Sequence, residues 1–452
     1  MTWQADGTAL RIARSLAARA VHGEEIEAFV ARGTDTQILV RDQSVESMTS
    51  ADSGGVGVRV RHGSRIGFAH TGRLDSASLH AVLAAARDNA RFTQPSDSAV
   101  LPAPDGVRPA SFDLWREKCP DLPVRDKIDR AHALERLVTA SPRVHGVKSV
   151  AWGDAAAESA VVSSLGVESY SRRTSCFLSG YVLGVPEGGR TATSTAYTMG
   201  RSPAELDLAA AAEEAVEALA AANRAAFPAR RLPVVLGPAA TAAFLGVIGN
   251  TLSGRSSPTG AMGGEGGSAP EGFVASRHVT LLDDPTDPTA FGAARFDAEG
   301  LATRRNLLLD RGRSVGRLYD AAGGHRAGAA SNGAALRAGY KSLPRAGARA
   351  LALVPGDLDP AEAVAGLDHG FLVQGVSGLQ AGSGPGGAFS AAVSGRVIRG
   401  GEPAEYIPHT TLAATLSELL LGVRAVCNDS IPLPGNAKGT TLLVCELTVG
   451  GQ

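Results

Sequence analysis

Aromatic side chains are scarce in this chain, 5% of 452 residues, so any core must be filled with little help from large rings. Only four cysteines occur, Cys119, Cys176, Cys427 and Cys445, and no two share the C-x-x-C spacing of a zinc knuckle or a redox dithiol motif. That sparse usage suits a reducing interior. A basic excess is missing as well: 44 Lys and Arg against 45 Asp and Glu leave a net charge of −1, with no Lys/Arg block. A nucleic-acid partner, whose capture needs cations that displace condensed counterions, is therefore not expected. Long apolar runs are lacking too, since stretches such as Leu416 to Leu421 fall far short of the roughly 18–20 residues that cross a bilayer. The arginines at 11, 14 and 19 lead into Glu24, Glu25 and Glu27 rather than a continuous apolar segment, which argues against a secretory signal. The expectation is a cytoplasmic protein with no membrane contact.

What is present reads as an α+β chain of two domains, 1–227 and 228–452. Ala9, Ile12, Ala13, Leu16, Ala17 and Ala20 repeat at helical spacing. Residues Thr36 to Arg41 read as a strand. Val56, Val58 and Val60 alternate with Gly57, Arg59 and Arg61 before a His62-Gly63-Ser64 turn and a return strand through Ile66 and Phe68. Asp75 and Ser76 then cap a second helix carrying Leu79, Val82, Leu83, Ala86 and Ala90. The Pro- and Ser-rich stretch from Gln94 to Pro123 reads as a long surface connection, followed by a third helix. Four short β-like runs, around Val150, Val161, Cys176 to Leu183 and Thr193 to Tyr197, suggest a meander. A helix over Pro203 to Ala222 is expected to open with Ser202 as N-cap and Pro203 in the first turn. Two prolines and two arginines between Phe227 and Pro233 interrupt the pattern and mark the domain boundary. Beyond it come the Val234-Val235-Leu236 strand, a helix from about Pro238 to Leu252, a Gly-rich segment from Gly260 to Gly272, and a mostly β remainder.

Several motifs have ordinary explanations. Gly382-Ser383-Gly384-Pro385-Gly386-Gly387 formally contains G-x-G-x-x-G, but a strand pattern follows it rather than the helix a dinucleotide site needs, so it reads as a Gly-rich turn or substrate-side loop. Gly312-Arg313-Ser314-Val315-Gly316 matches a nucleophile elbow, yet its flanks read as a hairpin, which makes Ser314 a turn serine. The ten histidines are isolated, with no H-x-H pair and no His-Glu dipeptide. The densest carboxylates of the second half, Asp283-Asp284 and Asp297 with Glu299, suit the holding of turns and backbone amides better than acid–base work.

The order of the remaining signals carries a resemblance. It runs through Gly57-Val58-Arg59-Val60, Gly67-Phe68-Ala69, Leu232-Pro233-Val234-Val235-Leu236-Gly237-Pro238, Asp283-Asp284-Pro285 and Phe296-Asp297-Ala298-Glu299-Gly300. It continues through Ala302-Thr303-Arg304, Leu318-Tyr319-Asp320, Ser331-Asn332-Gly333 and Leu447-Thr448-Val449-Gly450-Gly451. Over nearly the whole chain this resembles the TldD/PmbA (TldE) family. The resemblance implies a mixed N-terminal α/β domain, a mostly β C-terminal domain, and a cytoplasmic zinc-dependent peptidase built from a TldD-type and a TldE-type subunit.

TldD-type chains carry H-E-x-x-x-H on the helix after the Pro-Val-Val-Leu strand, with histidines for zinc and a glutamate that activates water. Here those positions fall on Gly246, Val247 and Thr251, which supply neither a ligand set nor a base. Cys427 stands where the metal-binding subunit also uses a cysteine, but its Val-Cys-Asn-Asp setting resembles the TldE side, and it reads as a small buried residue. The expectation is thus a non-catalytic TldE-like subunit with no catalytic residue, metal ligand or cofactor of its own. Zinc and base would come from a TldD-like partner in a heterodimer. Its substrates would be small or unfolded peptides, or peptidyl intermediates of natural-product pathways. The expected substrate-facing residues are Asp297, Glu299, Gly300, Ser331 and Asn332, along with the Gly260 to Gly272 loop. The competing expectation is a self-associating, homodimeric peptide-binding protein without peptidase activity; a serine hydrolase acting through Ser314 is the third.

Overall fold

In a computed structural model, which describes residues 5–184, 192–220, 227–251, 274–381 and 387–451, helices and strands are mixed throughout. The chain divides into two compact units. The first takes Met1–Asn223 together with Arg295–Ala302 and Asp320–Arg345; the second takes Arg224–Ala294, Thr303–Tyr319 and Ala346–Gln452. The division thus falls a few residues before the sequence boundary at 227/228, and two later segments return to the first unit. Proline and arginine content marks a chain break but says nothing of where a later loop is buried.

The first unit is built on a six-stranded antiparallel sheet in the order β3-β2-β1-β4-β5-β6. Its strands are β1 (Glu24–Arg41), β2 (Ser44–His62), β3 (Arg65–Thr71), β4 (Val144–Ser163), β5 (Glu168–Gly184) and β6 (Ala192–Gly200). These are longer than the patterns suggested. The runs around Val150 and Val161 are one strand of 20 residues, because the small residues Gly153 to Ala157 continue the pairing with Gln37 to Gly33 of β1. β1 likewise begins at Glu24, its first half hidden from pattern reading by glutamates and by the polar Arg32 to Asp35.

Even-numbered residues of β1 point to one face, following the period of two. There Ile26, Ala28 and Val30 join Val56, Val58 and Val60 under α1 (Thr8–Ala17) and α2 (Ser76–Phe92). Farther along the same face, Ile38, Val40, Trp152, Leu178 and Val182 pack against α3 (Val124–Thr139) and α4 (Leu208–Ala220). Asp75 caps α2 by accepting the Ser78 amide at 3.0 Å, as its sequence position suggests. The expected start of α4 is corrected. Pro203–Glu205 form a single 3₁₀ turn, and the α-helix begins at Leu208 after Asp207, whose carboxylate accepts the Ala210 amide at 2.9 Å. Glu205 instead turns back to accept the Arg201 amide, which ends the first turn early.

In the second unit, strand β7 (Arg230–Leu236) lies between β14 (His369–Ala381), its parallel partner, and β18 (Leu442–Val449), its antiparallel one. The sheet order continues through β15 (Ala388–Arg399) to β16 (Glu402–Thr415), and Leu412 and Ala413 of β16 pair with Val449 and Thr448 of β18. Those five strands therefore close on themselves, which removes the exposed edges of an open sheet. β17 (Val423–Val426) extends the sheet beyond β18. A second sheet holds β8 (Leu281–Asp283), β9 (Asn306–Asp310), β10 (Arg313–Ser314) and β13 (Leu351–Leu353) in the order β10-β9-β8-β13. The pairing of Ser314 with Leu309 makes the expected hairpin, with Ser314 exposed at its end. No described helix is long and apolar enough to cross a membrane.

Candidate functional site

The helix α5 (Pro238–Thr251) follows β7 directly, with Gly237 anchored by its amide to the Val373 carbonyl at 2.8 Å. Pro238 at its start fits a first helical turn, where no amide hydrogen is needed. Ala240, Phe244, Leu245 and Ile248 face the interior, and the Phe244 ring meets Phe389 at 4.9 Å. Gly246 and Val247 lie half-buried on this helix, and a β-carbon on Gly246 would stand 3.3 Å from Asn436 Oδ1. Thr251 is the last helical residue.

Cys427 is fully buried, as expected from its sequence setting, and its amide donates to Thr441 O at 2.9 Å. Burial, with Asp429 and Asp359 adding negative charge, pushes its thiol up to about 11. Asp429 is already committed, accepting both the amide and the hydroxyl of Thr441 at 2.8 Å. A hydrogen atom and an isopropyl group offer no donor atom, and one thiol by itself does not make a zinc site. Among the described residues no three His, Cys, Asp or Glu side chains group as ligands. The Asp283 carboxylate accepts the amides of Arg349 and Ala350 at 2.9 and 2.7 Å, and Asp284 accepts that of Thr286, so both hold turns.

The five residues expected to face substrate all belong to the first unit, and the structure gathers them. The Ala298 amide donates to the Ala335 carbonyl at 2.9 Å, which sets Asp297–Gly300 beside Ser331–Ala335. Within that group the roles divide. Asp297 is 5% exposed and accepts three amides, those of Glu299, Leu301 and Ala335, at 2.9, 3.0 and 3.2 Å. Burial and the adjacent Glu299 carboxylate push its carboxyl up to about 7 against the pull of those amides. Glu299 is 1% exposed, accepts the Ala321 amide at 2.8 Å and meets Arg59 Nη2 at 2.9 Å. Burial, which Arg59 only partly offsets, raises it. These two carboxylates therefore point inward and hold structure, the turn role favoured by their sequence setting. Gly300 has φ +84°, and a β-carbon there would lie 2.6 Å from Val167 Cγ1. Ser331 and Asn332 are half-buried.

Three residues of this arrangement receive no site role from the sequence: Glu27, Arg59 and Arg337. Glu27 and Arg59 are register partners on β1 and β2, on the sheet face opposite the helices. Arg59 Nε donates to Glu27 Oε1 at 2.9 Å, and Arg337 closes on the same carboxylate while its guanidinium sits 5.1 Å from the Phe29 ring. All four side chains, Glu27, Arg59, Glu299 and Arg337, are at most 5% exposed. Two cations and two carboxylates balance there. Burial opposes the ionisation of Glu27, but Arg59 and Arg337 outweigh it and hold the carboxyl below its ordinary range. The pairing of Glu27 with Arg59 is set by the Asp42-Gln43 turn between β1 and β2, and could have been found by counting along that hairpin only if β1 had been read to its true length. Nothing local marks Arg337.

On the same helix-free face lies a groove of about 210 Å³. Gly33, Ala157 and Ser159 floor it, and Arg173 and Tyr340 stand at its sides. Gly55 and Gly57 admit Tyr340: a β-carbon at 57 would be 2.3 Å from the Tyr340 carbonyl oxygen. From Ser44 to Gly55, β2 bonds to β1, and among the described residues no strand pairs with its other side, because β3 joins only from Val56 onward. The Gly260 to Gly272 loop lies outside the described residues, as do residues 382–386 of the Gly-rich motif.

Comparison with known proteins places this geometry in context. Family models match most of the chain: PmbA/TldA metallopeptidase domain 1 over residues 26–90, the central domain over 117–223 and the C-terminal domain over 229–451. A metalloprotease of Methanothermobacter thermautotrophicus is 26% identical over 416 residues, covering 87% of this chain and 86% of its own length. A metalloprotease TldD homolog of Haemophilus influenzae is 25% identical over 429 residues, 88% of this chain and 86% of that one. Among solved structures, TldE of Thermococcus kodakarensis has the same fold, with a TM-score of 0.80 at 21% identity over 98% of this chain and 99% of its own. A Thermotoga maritima protein described as a candidate modulator of a DNA gyrase gives 0.84 at 20% identity, over 97% and 99%.

Proposed function

The chain belongs to the PmbA/TldD family of metallopeptidases, and from that premise we propose that it is a TldE-type subunit whose metal and general base are supplied by a TldD-type partner. The observation that carries this reading is the pair Gly246 and Val247 on α5, where the family's zinc-binding subunit has a histidine and a glutamate. Neither side chain can donate an electron pair or take up a proton, and Cys427 alone would be a single ligand.

The work left to this chain is to bind and confine. An extended peptide offers unpaired main-chain groups, which a strand edge can satisfy irrespective of side-chain sequence. The free side of β2 from Ser44 to Gly55 and the small-residue groove beside Tyr340 support such a role. Ser331 and Asn332, the half-buried polar members of the gathered segment, are the candidates to meet a peptide, with Asp297 holding the segment through the Ala335 amide. Selection would then act on peptide accessibility, favouring small or unfolded peptides and peptidyl intermediates such as those of natural-product pathways. Zinc bound in the partner would supply the Lewis acid and the activated water.

Co-expression with a TldD-type chain tests the reading. The two chains should co-purify and hydrolyse an unfolded peptide, and each alone should not. A stable dimer of this chain alone that binds peptide and ignores a TldD-type chain would instead favour the self-associating binding protein.

A further inference from the structure

Cys119 and Cys176 are roughly 60 residues apart in sequence, and the first unit brings them together inside one apolar core. Cys176 lies on β5 opposite Asp154 of β4. Cys119 lies in the connection before α3, within a turn that runs beside the same strand. The Thr174 amide donates to Leu114 O at 3.2 Å, the Arg116 amide to Thr174 Oγ1 at 3.1 Å, and Cys119 Sγ to Ser175 O at 3.8 Å. Ser175 is the residue before Cys176, so the Cys119 sulfur lies against the strand at that point, and both thiols are 1% exposed. Beneath them Lys127 Nζ meets Asp154 Oδ2 at 2.7 Å, which places a buried ammonium in the same setting. Cys427 and Cys445 belong to the second unit.

We propose that Cys119 and Cys176 are a redox-responsive thiol pair, which a small disulfide such as oxidised glutathione converts to an intramolecular disulfide stapling the 94–123 connection to β5. Cys119 Sγ already reaches the carbonyl of the residue before Cys176 within one core cluster, and closure asks the turn around Cys119 to bring its sulfur onto the next residue. Cys119 is the attacking sulfur: the neighbouring Cys176 and the Lys127 ammonium hold its thiol below the ordinary range, against burial and Asp154. Its thiolate attacks the small disulfide, forming a mixed disulfide and releasing one small thiolate, which takes up the proton Cys119 gave up. Cys176 then gives its proton to the second leaving thiolate as its sulfur attacks Cys119 Sγ. Two protein thiols are oxidised to one disulfide, and one small disulfide is reduced to two small thiols.

The test treats the whole chain with oxidised glutathione and measures intact mass, thiol count after denaturation, and melting temperature. The expected product has lost two hydrogens, retains two of its four thiols, yields a peptide joining Cys119 to Cys176, and melts roughly 5–10 °C higher until reduced. Cys119→Ser should abolish the shift, and Cys427→Ser and Cys445→Ser should keep it. Retention of four thiols in the oxidised wild-type chain, or a linkage through Cys427 or Cys445, would overturn the proposal even if a variant failed to fold.

Discussion

Arg59 and Glu299 stand 240 positions apart in the sequence and meet at 2.9 Å in the interior of the first unit. One belongs to an early hairpin and the other to a turn in the second half of the chain, so this contact, with Arg337 on Glu27, accounts for why 295–302 and 320–345 join the first unit. Removing one member of a buried ion network leaves its partners charged and poorly solvated, which costs about 3–5 kcal/mol. Glu299→Ala should destabilise the chain by that order in urea unfolding. Glu27→Ala should cost more, because it strands two guanidinium groups. Equal, small losses below about 1 kcal/mol would show the network to be solvated.

A pH dependence follows from Asp297. Its folded-state carboxyl, pushed up to about 7, keeps its proton where the unfolded one, near 3.8, has lost it. Between those values the folded chain binds more protons, so stability falls as pH rises, by roughly 1.4 kcal/mol per unit. Glu299, also raised, acts in the same direction. Glu27 has the opposite sign: its contribution is present above the ordinary glutamate range and is lost as pH falls below it. Denaturation midpoints measured from pH 5 to 8 should decline, and Asp297→Asn, though less stable throughout, should decline less steeply. An unchanged slope in that variant would assign the effect elsewhere.

Gly300→Ala should cost about 2 kcal/mol, from a left-handed backbone and a clash with Val167. Val167→Ala in the same chain should recover only the steric share. Full recovery in thermal melts would mean that the backbone conformation is cheap.

Ser314 ends a two-strand hairpin and is exposed. Ser314→Ala should leave peptide hydrolysis by the co-purified pair unchanged, and loss of turnover would revive the serine-hydrolase reading.

Much of the fold was legible because its signals are local. The Val56 to Val60 alternation, the Asp75 cap and the Pro233 to Pro238 strand-to-helix junction each state their conformation within a few residues. Strand length was not legible, because polar residues on the helix-free face and alanines in the middle of β4 carry no two-residue alternation. The start of α4 was misread because Ser202 and Pro203 suit a 3₁₀ turn as well as an α-helical one. At the site, the motif order identified the segments around Asp297 and Ser331, but their burial depends on Arg59 and Arg337, which pattern reading cannot connect across such sequence separation.

Zinc stoichiometry shows directly which chain holds the metal. Each chain, purified alone, is equilibrated with zinc, freed of loose ion and analysed for metal alongside hydrolysis of an unfolded peptide. The account predicts one tightly held zinc in the TldD-type partner, none in this chain, and hydrolysis only when the two are mixed. One equivalent of zinc retained by this chain alone, with peptide cleavage that a chelator abolishes, would contradict it.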